Sequence, residues 1–270
     1  MIMGSKEAPA KSKEKKGIEK IRRPEIKHVI AVMSGKGGVG KSSVTALLAA
    51  GAQKEGFQAG VLDADITGPS IPRMFGLKAS SRKGLSPAES ATGIKVMSLN
   101  LLLLNEDDPV IWRGPIIGRV VTQFWEEVEW GALDYLFIDL PPGTADAPLT
   151  VMQTIPLDGL VVVSSPQDLA VMVVKKALKM ADSMSIPVLG LVENMSYFIC
   201  PHCQEKIEIF GPVKGEQVSS ATGIPFLDSL PLDQRLAECC DSGTVESYSS
   251  DLFQKLLQSP QLKTKTGGLQ

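Results

Sequence analysis

The 270-residue sequence is poor in aromatic residues and has almost no excess charge. Phe, Trp and Tyr make up only 5% of the chain, which argues against the aromatic platforms on which proteins stack nucleic-acid bases. The formal net charge is −2, so the overall electrostatics give no reason to bind a polyanion. We therefore expect no nucleic-acid partner.

Long apolar runs are also missing. The longest runs, such as residues 101–104, are far shorter than the roughly 20 residues that a membrane-spanning helix needs. The basic N-terminal stretch lacks the apolar core of a secretion signal. We therefore expect a cytoplasmic protein that does not associate with membranes.

Cysteine is scarce, with Cys200, Cys203, Cys239 and Cys240 making up the whole set. In a reducing compartment, C-x-x-C more often indicates metal binding or redox chemistry than a structural disulfide. The spacing of Cys200 and Cys203 lets both sulfurs face one metal, but one pair supplies only half of a four-thiolate site. Adjacent cysteines chelate one metal poorly because neighbouring side chains diverge. Two Cys200/Cys203 pairs meeting across a two-fold axis would make a site suited to a 4Fe-4S cluster or to zinc.

Glycine is concentrated in a loop that follows the apolar run 29–33. The loop has the pattern G-x-x-x-x-G-K-[ST], which wraps the phosphates of a nucleotide. Its glycines let backbone N–H groups converge on an anion, and the next helix adds the positive end of its dipole. We expect Lys41 to meet the β- and γ-phosphates and the Ser42 hydroxyl to bind Mg²⁺. The predicted nucleotide-binding residues of this loop are Gly35, Lys36, Gly37, Gly38, Val39, Gly40, Lys41, Ser42 and Ser43.

Carboxylates end two of the predicted strands. The strand at 58–63 delivers Asp63 and Asp65 to the sheet edge where open α/β folds bind ligands. We expect Asp65 to orient the attacking water and Asp63 to face the hydration shell of Mg²⁺, although Asp63 could instead cap the next helix. The strand at 133–139 runs directly into Asp139, which is expected to hold Mg²⁺ through water.

An asparagine follows the strand predicted over 187–193. The amide of Asn194 offers both a donor and an acceptor and could read the edge of adenine, the alternative being a turn-forming asparagine. The segment 231–233 could border the same base. Asn194 is therefore a candidate nucleotide-binding residue.

The alternation of strands and helices predicts an α/β fold, a single doubly wound, mostly parallel sheet with helices on both faces. The predicted ATPase domain spans 26–258 and carries a C-x-x-C insertion at 197–210. Disordered tails are predicted at 1–25, which is basic, and at 259–270. The last helix of the domain is predicted over 244–257.

The ordered set of motifs resembles the Mrp/ApbC (NUBP) family, whose members are iron–sulfur cluster carriers or scaffolds within the MinD/ParA-like P-loop ATPases. The motifs are G-K-G-G-V-G-K-S at 35–42, D-A-D-I-T-G-P-S at 63–70, W-R-G-P at 112–115, D-L-P-P-G-T at 139–144, E-N-M-S at 193–196 and C-P-H-C at 200–203. The likeness runs from about residue 27 to residue 257.

The resemblance implies a homodimer that binds ATP and bridges a labile 4Fe-4S cluster through Cys200 and Cys203 of both chains. It also implies that Lys36 crosses the interface to the phosphates of the other subunit, so that Lys36, Lys41 and Asp65 are the expected catalytic residues. ATP hydrolysis would gate delivery of the cluster to apo-proteins. Two alternatives stay open, a MinD/ParA-like positioning ATPase and an ATPase that handles zinc or nickel.

Overall fold

The computed structural model describes residues 20–65, 68, 70–78, 85–102, 114–144, 146–166 and 170–263. The outer parts of both predicted tails lie outside these residues, as do positions 66, 67, 69, 112 and 113 of the quoted motifs.

The described strands form one sheet with the order β3-β4-β2-β5-β1-β6-β7-β8, and β9 pairs with β7. They are β1 (Ile26–Ser34), β2 (Ala59–Asp63), β3 (Ala88–Glu89), β4 (Lys95–Met97), β5 (Leu133–Asp139), β6 (Gly159–Ser164), β7 (Val188–Ile199), β8 (Lys206–Ile207) and β9 (Phe226–Pro231). The β3–β4 and β7–β8 pairs are antiparallel and the other pairs are parallel. The predicted mostly parallel sheet is confirmed.

Helices follow most of the strands along the chain. They are α1 (Lys41–Lys54), α2 (Ile71–Met74), α3 (Gly114–Glu127), α4 (Asp146–Thr154), α5 (Ala170–Ser183), α6 (Gly215–Thr222), α7 (Gln234–Ser242), α8 (Leu252–Leu257) and α9 (Pro260–Lys263), with 3-10 turns at Leu99–Leu102 and Val245–Ser247. Among the helices of the described residues, none has both the length and the apolar character required to cross a bilayer.

Two apolar cores lie on opposite faces of the sheet, and the central strand β1 shows why. Successive side chains of a strand point to opposite faces. Val29, Ala31 and Met33 therefore pack into one core, with residues of α3, α4 and α5, whereas Ile30 and Val32 pack into the other, with residues of α1, α7 and α8. The predicted covering of both faces by helices is confirmed.

The strand order brings the predicted catalytic segments together. β1 lies between β5 and β6, and the loop that follows it leads into α1. In the register of β2 and β5, Asp63 lies directly opposite Asp139. Because parallel strands end at the same edge, the glycine-rich loop and these two carboxylates share one end of the sheet.

Two predicted elements differ from the structure. The strand predicted to end at residue 193 continues to Ile199 as β7. The helix predicted over 244–257 is wrong, since a 3-10 turn and α8 flank extended backbone at Tyr248. The Tyr248 hydroxyl donates to Asp233 at 2.7 Å and its carbonyl accepts from Lys54 at 2.6 Å, so long-range contacts override the local helical pattern.

Ordered contacts also extend past both predicted domain bounds. The ammonium of Lys20 donates to the Met152 carbonyl at 2.7 Å, and the Trp125 indole donates to the Ile21 carbonyl at 2.9 Å. At the other end, Leu262 of α9 is only 2% exposed in the core. The basic and polar composition near the termini therefore did not indicate that these segments pack against the domain.

Candidate functional site

The glycine-rich loop has the backbone conformation that its composition predicts. Gly38 and Gly40 have φ values of 81° and 79°, in the left-handed region that favours glycine. Gly40 is the N-cap of α1, so the unpaired N–H groups of the first helical turn open toward the loop. A Cβ on Gly40 would lie 2.1 Å from the Asn194 side-chain nitrogen, so a larger residue would also displace that amide.

Lys41 is a buried cation at the base of the loop. Its side chain is 5% exposed, and its Nζ lies 2.8 Å from an Asp139 oxygen and 3.5 Å from an Asp65 oxygen. Despite the short first distance, Nζ makes no aligned hydrogen bond to any group in the described parts of the chain. A buried ammonium with uncommitted donors fits an anionic ligand such as phosphate.

Hydroxyl groups of α1 meet the carboxylate that ends β5. The Ser42 hydroxyl donates to Asp139 Oδ2 at 2.6 Å, and the Thr45 hydroxyl donates to Asp139 Oδ1 at 2.9 Å. A hydroxyl and a carboxylate are oxygen donors that suit Mg²⁺, so the residues predicted to hold the ion are together. The sequence analysis missed Thr45, whose only signal is its position one helical turn after Lys41.

Asp63 is committed to neighbouring protein groups. Its carboxylate accepts from the Asp65 backbone N–H at 3.1 Å and from the Ser98 hydroxyl at 3.0 Å. Burial, reinforced by the charge of Asp139, raises the pKa of Asp63 well above its ordinary value. Asp63 thus fixes the backbone that presents Asp65, and its contact with the Mg²⁺ hydration shell stays a prediction. Ser98 was not predicted from the sequence.

The loop and Asp65 line a cavity of about 260 Å³. The other lining residues are Ser34, Gly37, Gly38, Gly40, Lys41, Ser42, Ser43, Gly68, Ser70, Met74 and Pro142. Gly35 is partly buried and Val39 is buried. Lys36 is exposed on the rim of the same loop, and its carbonyl accepts from the Ser34 hydroxyl at 2.9 Å. Its side chain is therefore accessible from outside the subunit.

Asn194 lies between this loop and a second cavity. Its Nδ2 donates to the Val39 carbonyl at 3.0 Å, and its side chain is 3% exposed. The second cavity, also of about 260 Å³, is lined by Asn194 together with Ser43, Asp233 and Cys240. One amide donor is therefore used on the loop itself, a contact the sequence did not predict, and recognition of adenine by Asn194 stays a prediction.

Cys200 and Cys203 lie in a tight hairpin turn between β7 and β8. The turn is closed by the Cys200 N–H donating to the Glu205 carbonyl at 3.0 Å and by the Gln204 N–H donating to the Cys200 carbonyl at 2.9 Å. Hydrogen bonds from the backbone N–H of Cys203, and then of His202, lower the pKa of the Cys200 thiol. A lower pKa favours the thiolate, which is the form of cysteine that binds metals. Cys203 is exposed, so the turn lies at the surface.

The other two cysteines do not complete this site. Cys240 lines the cavity beside Asn194, where burial raises the pKa of its thiol. Cys239 lies 3.6 Å from the Ser247 hydroxyl. Within the described residues, no three His, Cys, Asp or Glu side chains gather closely enough to hold a metal ion. A complete four-thiolate site thus requires ligands from elsewhere.

Exposed apolar side chains are concentrated on and next to the hairpin that carries the cysteines. Of the eight large apolar residues that are exposed in the described parts of the chain, five lie on the hairpin, just after its second strand or on the β9–α7 turn. We call this set the hairpin rim: Ile199, Ile207, Ile209, Phe210 and Leu232. Clustered exposed apolar groups typically mark an interaction surface.

Residues 25–260 match the ParA family, described as NUBPL iron-transfer P-loop NTPase. An iron–sulfur cluster carrier protein from Clostridium perfringens is 47% identical over 237 residues, which cover 84% of this chain and 83% of that protein. The Mrp/ApbC (NUBP) resemblance drawn from the motifs is confirmed.

Solved structures agree with this relationship. The nucleotide-binding protein from Archaeoglobus fulgidus, in complex with ADP, is 48% identical with a TM-score of 0.76, over 85% of this chain and 91% of that one. The septum site-determining protein MinD from Pyrococcus horikoshii, complexed with Mg-ADP, is 17% identical with a TM-score of 0.58, over 90% and 96% of the two chains, and supports the fold alone. The chain thus belongs to the ParA family of NUBPL-type iron-transfer P-loop NTPases.

Proposed function

We propose that this chain is a slow ATPase that binds a labile 4Fe-4S cluster between two identical subunits and transfers it to apo-proteins. The observation that carries the proposal is the surface turn with two thiols and no third ligand among the described residues, in a chain that also has a phosphate-binding loop. The names of the relatives support cluster transfer.

A second copy of the chain supplies what one copy lacks. A 4Fe-4S cluster is held by four ligands, and Cys200 and Cys203 provide two. In a dimer with two-fold symmetry, the same turn from each subunit provides the set. The hairpin rim would then be covered on association, which removes exposed apolar surface from water. We propose a homodimer on these grounds, and a cytoplasmic one because two relatives are named as cytosolic Fe-S cluster assembly factors.

The loop residues support nucleotide binding and hydrolysis. Lys41 would contact the phosphates through its uncommitted donors, while Ser42 and Asp139 would hold Mg²⁺, which neutralises phosphate charge. Asp65, 3.5 Å from the Lys41 ammonium, would orient the attacking water. The side chains thus divide into a phosphate-binding group and a water-orienting group.

Lys36→Ala is expected to lower ATP hydrolysis by about 10³-fold while leaving nucleotide binding intact, because we propose that Lys36 acts on the phosphates of the partner subunit. Phosphate release and Kd would be measured separately. Mixing Lys36→Ala with Lys41→Ala should restore part of the activity, since a mixed dimer pairs an intact phosphate loop with an intact Lys36.

The matched control is Lys27→Ala, which removes an exposed lysine from the opposite end of β1. The Lys27 ammonium pairs with Asp134 at 2.7 Å on the neighbouring strand, so hydrolysis should not change. Normal hydrolysis by dimeric Lys36→Ala, or no recovery on mixing, would contradict the role of Lys36.

Anaerobic reconstitution tests the whole proposal. Iron and sulfide should bind at one 4Fe-4S cluster per two chains, with the loaded protein eluting as a dimer on size exclusion. Zinc or nickel bound in preference to iron, or a cluster held by a monomer, would contradict it. Release of the cluster to an apo-ferredoxin would then be followed by the visible absorption of the acceptor.

A further inference from the structure

One strand joins the phosphate loop to the cysteine turn. The inner part of β7 pairs with β6 as far as Glu193, and its outer end pairs with β8 through Phe198 and Ile199. Asn194 therefore lies on β7, and Cys200 is the residue that directly follows this strand. A backbone displacement beside the loop has a short covalent path to the thiols.

The strand is irregular where it passes the loop. Its pairing with β9 shifts between Glu193 and Tyr197, and Met195 has φ of 56°, a left-handed value that is uncommon for a residue with a side chain. Such a conformation persists only where its surroundings hold it. Here the Ser196 hydroxyl donates to the Glu193 carbonyl at 2.5 Å, and the Glu193 carboxylate accepts from the Lys214 N–H at 3.0 Å.

The irregular segment turns Asn194 against the loop. Its amide donates to the Val39 carbonyl, and the absent Cβ of Gly40 leaves the space that the amide occupies. Val39 lies within the backbone whose N–H groups would converge on a phosphate. The Asn194 side chain is thus hydrogen-bonded to the backbone that would hold the anion.

The two sites also share a wall. Pro231, Leu232 and Asp233 line both the cavity beside Asn194 and a groove of about 390 Å³ that reaches Pro201 in the cysteine turn. The Leu232 N–H donates to the Tyr197 carbonyl at 2.7 Å, which ties this wall to β7. A nucleotide in the cavity beside Asn194 would therefore contact residues that also line the groove at the cysteine turn.

We propose that Asn194 is a positioning residue that couples occupancy of the phosphate loop to the reactivity of Cys200 and Cys203. Closure of the loop on a triphosphate moves the Val39 peptide, Asn194 follows it, and the irregular segment of β7 passes the change to the turn. The inference rests on the proposed function for its two sites. It adds the residue that connects them.

The test measures thiol alkylation in the cluster-free, reduced, full-length chain, resolved by residue with mass spectrometry. Saturating Mg-AMP-PNP should change the alkylation rate of Cys200 and Cys203 by about fivefold in the unmodified protein. In Asn194→Ala the same nucleotide, shown by titration to be saturating, should change the rate by less than about 1.5-fold. A full nucleotide effect in Asn194→Ala would overturn the inference.

Two further variants distinguish coupling from simple loss of structure. Asn194→Asp keeps the size of the side chain but sets a carboxylate against the Val39 carbonyl, so it should also lose the nucleotide effect. Ser183→Ala removes a hydrogen bond of the same kind on α5, outside β7, so it should keep the effect. If Asn194→Ala does not fold, Asn194→Asp decides. Loss of the effect in Ser183→Ala would overturn the assignment to Asn194.

The outcome for the unmodified protein separates this inference from the proposed function. If it binds nucleotide and a 4Fe-4S cluster but nucleotide leaves thiol alkylation unchanged, the coupling is wrong and the carrier function stands. If iron and sulfide do not bind at all, the carrier function itself is wrong.

Discussion

Lys41→Ala is expected to lower ATP hydrolysis by about 10³-fold or more and to weaken nucleotide binding. The Lys41 ammonium is buried at the base of the loop, 2.8 Å from an Asp139 oxygen and 3.5 Å from an Asp65 oxygen. Without it, the phosphates would face two carboxylates and no buried cation, so repulsion would replace attraction. Calorimetric titration with a non-hydrolysable nucleotide and a phosphate-release assay would measure the two losses.

The same substitution should also change the pH dependence of stability. The positive charge of Lys41 counters the burial that raises the pKa of Asp63, so its removal raises that pKa further. A carboxyl that holds its proton more tightly when folded than when unfolded loses stability as pH rises through the interval between the two pKa values. Both proteins should therefore lose stability as pH rises above about 4, and in Lys41→Ala this loss should continue to a higher pH than in the unmodified protein.

A control must separate the loss of a phosphate ligand from damage to the carboxylates. Thr45→Val removes a hydroxyl that donates to Asp139, and Thr45 is not among the residues that line the cavity at the loop. We expect its hydrolysis to fall much less than that of Lys41→Ala. Hydrolysis by folded Lys41→Ala at the unmodified rate would show that the loop does not bind phosphate as proposed.

Replacing both Cys200 and Cys203 with serine is expected to reduce reconstituted iron and sulfide to less than about a tenth of the unmodified content. Each chain would lose its entire thiolate contribution, and the described residues contain no substitute cluster of ligands. Because the cysteine turn lies outside the phosphate loop, nucleotide should still bind. Iron and sulfide analysis, visible absorption and nucleotide titration on one preparation would check these outcomes.

Cys239→Ser is the matched control for this loss. Its sulfur lies on α7, 3.6 Å from the Ser247 hydroxyl, and should contribute nothing to cluster binding. A doubly substituted protein that holds as much iron as the unmodified chain would remove the chemical basis of the proposed function. Loss of iron in Cys239→Ser alone would show that the cluster ligands had been assigned to the wrong cysteines.

Local signals account for what the sequence predicted well. The spacing of glycines around Lys41 needs only a strand before it and a helix after it, and both elements formed as predicted. Asp139 was found because an apolar strand runs into it. The spacing of the two cysteines marked them as candidate ligands, and the structure places them in one tight turn.

The parts that were missed depend on contacts between distant segments. Asn194 and Val39 are 155 residues apart in the chain, and no local pattern indicates that an amide at a strand end will bond to the loop. Ser98 reaches Asp63 only because β4 pairs with β2. The helix break at Tyr248 likewise follows from a bond to a residue on another element. Propensity and periodicity carry no information about such pairings.

Because each chain offers only two thiols in its cysteine turn, loading of the cluster depends on the concentration of the protein. When the protein is scarce, the number of complete sites under the proposed scheme grows with the square of its concentration, as for any assembly built from two equal halves. Dilution alone would then favour unloading, and a cell that makes more of this chain would gain carrying capacity faster than it gains protein.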